Sequence, residues 1–129
     1  RGCGATMDLS ELNRSVTSAI VRAEALLAGT WEAQRAFREV ADLEQEIATI
    51  VGARTAAGEI ARLGAVTAAL SAGEPLRALQ LGERYLADGI SEGSRAKLVQ
   101  LLAEAEAEIG QAAASAPNVE PVRFILRAA

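Results

Sequence analysis

Acid–base or metal chemistry in this chain would fall to carboxylates, because the sequence holds no histidine. That removes the usual general base, the commonest transition-metal ligand and every Ser-His or Cys-His nucleophile pair. It also removes the Glu-x-x-His pairs from which di-iron helical bundles are built. Among the carboxylates, Glu104 and Glu108 stand one helical turn apart and Glu39 shares a face with Glu46. Such spacing could bring two carboxyl groups to one site, but acid–base work also requires a cleft that shifts their pKa values. In the sequence each sits among other charged residues and reads as part of a solvated face. Binding of Mg2+ or Ca2+ through oxygen would favour an Asp-rich loop, and only Asp8, Asp42 and Asp88 are present, far apart.

Glycine-rich stretches give no better footing. Gly52 to Gly58 superficially resembles a phosphate-binding loop, but Glu59 follows the second glycine where lysine would be needed and would repel the ligand. Gly2-Cys3-Gly4 is too short for a dinucleotide fingerprint. We therefore expect no catalytic residue, no cofactor and no bound metal, and a chain that is not an enzyme. The residues best suited to a binding role are Trp31, the only tryptophan, and the neighbouring pair Arg84 and Tyr85, because Trp, Tyr and Arg dominate the energetic centres of protein interfaces. Trp31 has two readings: a cover for the end of the first helical hairpin, or an exposed anchor for a partner.

Positioning of these residues rests on a helical framework. Half the residues are apolar but only 3% are aromatic, and the abundance of Ala, Leu, Glu, Arg and Gln favours helix over strand. The organising stretch is Thr55 to Gly110, read as three helices broken at Gly73-Glu74-Pro75 and at Asp88-Gly89-Ile90-Ser91. Two helices precede it. Asp8-Leu-Ser-Glu11 is a capping box, after which Leu9, Leu12, Val16, Ala19, Ala23 and Leu26 form a seam that ends at Gly29. Thr30 caps a second helix with the seam Ala33, Ala36, Val40, Leu43, Ile47 and Ile50. Its charged side predicts ion pairs Arg35–Glu39 and Arg38–Asp42 within the helix.

Thr55 caps a third helix presenting Ile60, Leu63, Val66 and Leu70, with Gly58 and Gly64 marking a tight crossing with the second or fourth helix. Pro75 opens a fourth, with Leu76, Leu79, Tyr85 and Leu86 inward. Ser91 caps a fifth, through Leu98, Leu101, Leu102, Ala105 and Ile109 to Gly110. Glu104, Glu106 and Glu108 would then lie at its unfavourable negative pole. Residues 119–127 combine Pro121, which can open a short sixth helix, with the strand-like run Val122 to Leu126, and the helix is the better reading because no partner strand exists. The expected fold is all-α: stacked antiparallel helical hairpins, or a bundle of five helices plus a short C-terminal helix.

The length of 129 residues fits one domain, 8–129, preceded by a tail, 1–7. Within that tail Arg1 to Thr6 precede Met7 and read as an expression remnant, and the lone Cys3 has no intramolecular disulfide partner. Thirteen basic residues are scattered among seventeen acidic ones, for a net charge of −4, which leaves no footprint for nucleic acid. No apolar run reaches the roughly 20 residues of a membrane span. These features predict a cytoplasmic protein that engages neither nucleic acid nor membrane.

Leu70-Ser-Ala-Gly-Glu-Pro-Leu-Arg-Ala-Leu79, followed by Tyr85-Leu86 and a capped helix, resembles a tetratricopeptide-type unit over residues 60–110. Gly73, Ala78, Leu79 and Leu86 stand at that family's turn glycine, small contact residue and flanking leucines. Arg62, Gly82 and Ile90 stand where the family carries two aromatics and a closing proline. The resemblance implies a scaffold that binds protein segments in a concave groove between stacked hairpins. A non-enzymatic interaction module whose partner is another protein, or a second copy in a homodimer, is the expected function. The alternative is a small-ligand or sensory bundle with an apolar pocket between hairpins.

Overall fold

The computed structural model describes residues 8–115. They form five helices, α1 (Leu9–Glu24), α2 (Trp31–Ile50), α3 (Ala56–Ser71), α4 (Pro75–Leu86) and α5 (Glu92–Ser115). The expected all-helical architecture is thus observed; the expected sixth helix lies outside the described residues.

Helix starts follow the cap chemistry. Asp8 accepts from the Glu11 amide at 2.8 Å while Glu11 accepts from the Asp8 amide at 3.2 Å, the reciprocal pair of a capping box. Thr30 accepts from the Ala33 amide and Thr55 from the Gly58 amide. At α5 the cap spans two helices: Ser91 Oγ accepts from the Ser94 amide, and Glu59 of α3 accepts from the Ser91 amide at 2.9 Å and the Ser94 hydroxyl at 2.8 Å. The Ser91 amide, then the Ser94 hydroxyl, hold the Glu59 carboxyl below its ordinary pKa. Pro75 takes the first position of α4, and Gly73 before it adopts φ 74°, the left-handed conformation that favours glycine.

Each helix packs on the next, and α3 also reaches α5. No Cα of α1 comes within 8 Å of one in α3, so α2 alone bridges those two. The core runs along α2 and α3 and is largely alanine: Ala41, Ala48, Ala61, Ala65, Ala68 and Ala69 are buried around Val66, with Leu12, Leu81 and Leu98 arriving from the outer helices.

Several expectations are corrected. The seam of α1 stops at Glu24, so Leu26 and Leu27 lie in the connection 25–30 and are exposed. On α3 and α4 the inward faces are rotated in part from the expected ones: Val66 and Tyr85 are buried and Leu63, Leu70, Leu79 and Leu86 pack on the core as expected, but Ile60 and Leu76 are exposed, and Ala61, Arg62, Ala65, Ala78 and Leu81 face inward in their place. The cause is crowding, because α3 is packed by α2, α4 and α5 together, and close backbones admit alanine where they exclude branched side chains. Ile50 at the end of α2 is likewise exposed, while Leu79 and Leu101 are half-buried against the core. α5 runs through Gly110 to Ser115, which moves Glu104, Glu106 and Glu108 away from its end and removes the unfavourable pole.

Surface charges pair between helices instead of along α2. Glu39 meets Arg22 of α1, Arg38 meets Glu74, and Asp42 meets Arg77 of α4 at 2.6 Å. Neither expected pair within α2 forms, because the helix lies between neighbours whose own charges are nearer.

The expected tight crossing is present at Gly64, where an added Cβ would lie 2.5 Å from the Glu44 Oε2 of α2. At Gly58 an added Cβ would collide with the Gly52 carbonyl oxygen, which is backbone and cannot swing aside. Gly58→Ala should therefore destabilise by about 1 to 2 kcal/mol net, since overpacking outweighs the gain of up to about 1 kcal/mol in helix propensity. Urea denaturation checks this; a variant more stable than the parent would mean the 52–58 turn has room to relax.

Candidate functional site

A groove between α1 and α3, with α2 as its floor, is lined mainly by apolar side chains. α1 contributes Leu9, Val16 and Ile20 to one wall, α3 contributes Ile60 and Ala61 to the other, and Ile47 and Glu44 of α2 lie between them. Its volume is about 350 Å3, and it opens to solvent. The groove exists because α1 and α3 share one face of α2 without closing on each other. Its exposed apolar surface follows from the rotated face of α3, which leaves Ile60 66% exposed.

Glu44 is the one charged residue lining the groove. Only 7% of its surface is exposed, it makes no hydrogen bond or ion pair with another described residue, and its carboxylate oxygens stay open to the groove instead of being sealed from solvent. Room for its carboxylate comes from Gly64 opposite, where any side chain would occupy the same space. Burial raises its pKa from 4.5 to about 7, since an apolar setting disfavours the charged form and no cation offsets it. The sequence places Glu44 between the seam and the charged side of α2, and nothing in its spacing marks it. The detectable signal is the pairing of a Glu with a helical Gly on the next helix, visible only once the register of the two is known.

Other concavities carry at least two charged residues each. A shallower hollow of about 470 Å3 beside α1 and α2 is lined by Glu11, Arg14, Ser15, Ser18, Arg22 and Glu39, and Arg22 there is occupied by Ser18 and Glu39. Another, between α3 and α5, pairs Leu63 and Leu101 with the polar Lys97, Gln100 and Glu104.

The residues singled out in the sequence are dispersed. Trp31 opens α2 with 64% of its surface exposed and the Arg35 guanidinium 4.8 Å over its ring. Arg84 is exposed, but its neighbour Tyr85 is 3% exposed and forms part of the core. Successive helical residues point about 100° apart, so the pair does not form one surface anchor. Tyr85 instead lies under the Arg62 guanidinium at 5.5 Å. Glu39, Glu46, Glu104 and Glu108 are all exposed. Since Trp31 is absent from the core cluster, Trp31→Ala should change stability by less than about 1 kcal/mol, as for most surface substitutions. A thermal melt checks this, and a large loss of Tm would mean that Trp31 seals the α1–α2 connection.

Arg62 is the buried charge that the sequence reading passed over. From α3 it donates to the Ala48 and Val51 carbonyls at the end of α2, at 3.0 and 3.1 Å, to the Gly58 carbonyl, and to Asp88 beyond α4 at 3.1 Å. It joins three helices at one end of the molecule.

No described helix is long and apolar enough to cross a membrane, and no three described Asp, Glu, Cys or His side chains cluster as a metal site would require. Comparison with protein-family models, curated proteins and solved structures finds no match for this chain.

Proposed function

We propose that this chain is a non-enzymatic protein-interaction module and that its docking surface is the groove between α1 and α3. The supporting observation is Ile60, a large aliphatic side chain two-thirds exposed on the wall of a concavity whose neighbours Leu9, Val16, Ile20 and Ile47 are also apolar. Exposed apolar surface gathered in a concavity is the common mark of a site that buries something else. The dispersal of the candidate carboxylates over solvated faces favours binding over catalysis. The open groove favours a polypeptide over an enclosed small ligand, and is in keeping with the concave binding face implied by the tetratricopeptide resemblance.

Photo-crosslinking tests the reading. A benzophenone amino acid at position 60 should give covalent adducts to a polypeptide in cells, and the same group at Val99, exposed on α5, should not. An adduct of twice the chain's own mass would identify a second copy as the partner. Equal labelling from both positions, or none from position 60, would refute the docking surface.

A further inference from the structure

We infer that the groove takes an apolar stretch of another protein that carries a lysine or arginine, with that cation seated against Glu44. The inference rests on the interaction-module reading and specifies the partner's chemistry. Its carrier is the state of Glu44: nine-tenths buried, facing a groove otherwise lined by uncharged residues, without a partner among the described residues, and with its carboxylate oxygens reachable from that groove. A buried carboxylate is costly unless paired. A cation entering through the groove that Glu44 lines would supply that partner.

The shape agrees. On α1 the wall runs from Leu9 to Ile20, about 16 Å of helix at roughly 1.5 Å per residue. That accommodates two to three turns of a docked helix, or about five extended residues. Apolar residues flank Glu44 on both walls, so the complement is a basic residue with aliphatic neighbours on the same face. A lysine or arginine stem would cover the apolar wall while its head reaches the carboxylate. Raised by burial, the Glu44 carboxyl is half protonated near pH 7, and an arriving cation would favour its ionised form.

The test uses the full chain. A display library of random 16-residue peptides is selected on the parent, on Glu44→Gln and on Ile60→Asp. The parent should enrich peptides with Lys or Arg between aliphatic residues, Glu44→Gln should enrich aliphatic peptides without that basic preference, and Ile60→Asp should enrich neither. For the best peptide, replacing its basic residue by norleucine should weaken binding to the parent about tenfold, the equivalent of 1.4 kcal/mol, and leave binding to Glu44→Gln unchanged.

Peptides that require Ile60 but show no basic preference would overturn the inference and leave the groove reading standing. Absence of enrichment on the parent, or enrichment indifferent to Ile60→Asp, would overturn both. The chain itself carries Arg123 and Arg127 among Val122, Phe124, Ile125 and Leu126. Selection that succeeds only on an Arg123→Ala, Arg127→Ala variant would identify that stretch as the occupant and overturn the assignment to another protein.

Discussion

Replacing Arg62 by methionine should lower the unfolding free energy by about 3 to 5 kcal/mol, a large part of the 5 to 15 kcal/mol typical of a domain. Methionine keeps much of the aliphatic stem, so the loss is of hydrogen bonds more than of packing. The carbonyls of Ala48 and Val51 belong to the last turn of α2, where no further amide of that helix can reach them. Arg62 supplies both donors from the neighbouring helix, and its positive charge also suits the negative end of α2. Without it those carbonyls become unsatisfied acceptors, each costing about 1 to 3 kcal/mol if they stay buried.

Asp88 contributes less to that loss, since about a third of its side chain reaches solvent. Asp88→Asn should therefore cost no more than about 1 kcal/mol, and adding it to Arg62→Met should rescue nothing. Arg62→Lys should recover only part of the loss, because one ammonium cannot serve acceptors spread around a planar guanidinium. Guanidinium chloride denaturation of the three variants and the double variant decides the matter. If Asp88→Asn proved as costly as Arg62→Met, the ion pair and not the capping of α2 would be the source of stability.

The same residue illustrates how far the fold was legible in the sequence. Helix existence and helix starts were readable because they depend on local chemistry: Asp8, Thr30, Thr55 and Ser91 each accept from the amides of the turn that follows. Faces were less readable. Ranking inward positions by side-chain size selects Ile60 and Leu76, but α3 and α4 are buried through Ala61, Ala65 and Ala78 because several helices approach closely. Arg62 follows from the same rotation. It reads as a solvated charge or as a missing aromatic in a repeat unit, and only the adjacency of α2's end to α3 shows that it replaces water for two carbonyls. The groove was legible only as a general expectation of concavity between hairpins. Glu44 within it was not, because it requires knowing that Gly64 faces it across the α2–α3 crossing.

Glu44 should also make the protein less stable as pH rises from about 4.5 to 7, and Glu44→Gln should remove that component. In the folded chain the carboxyl titrates at about 7, against an ordinary 4.5 when unfolded. Between these values the folded state binds the proton and the unfolded state does not, so stability falls with pH at up to about 1.4 kcal/mol per unit. Below pH 4.5 both states are protonated and the penalty vanishes; above 7 both are ionised and the penalty is complete, on the order of 3 kcal/mol. Glu59 acts in the opposite sense: its lowered folded pKa gives stability that is present above its unfolded value and lost as acid protonates it. The pH profile of the parent therefore mixes the two, and the informative quantity is the difference between parent and Glu44→Gln in urea at pH 5 and pH 8. That difference should favour the variant much more strongly at pH 8. Equal effects at both values would mean the carboxylate finds solvent in the groove and is not held in an apolar setting. A peptide that supplies a cation to Glu44 should shrink the difference at pH 8, because the paired carboxylate no longer bears its desolvation cost alone.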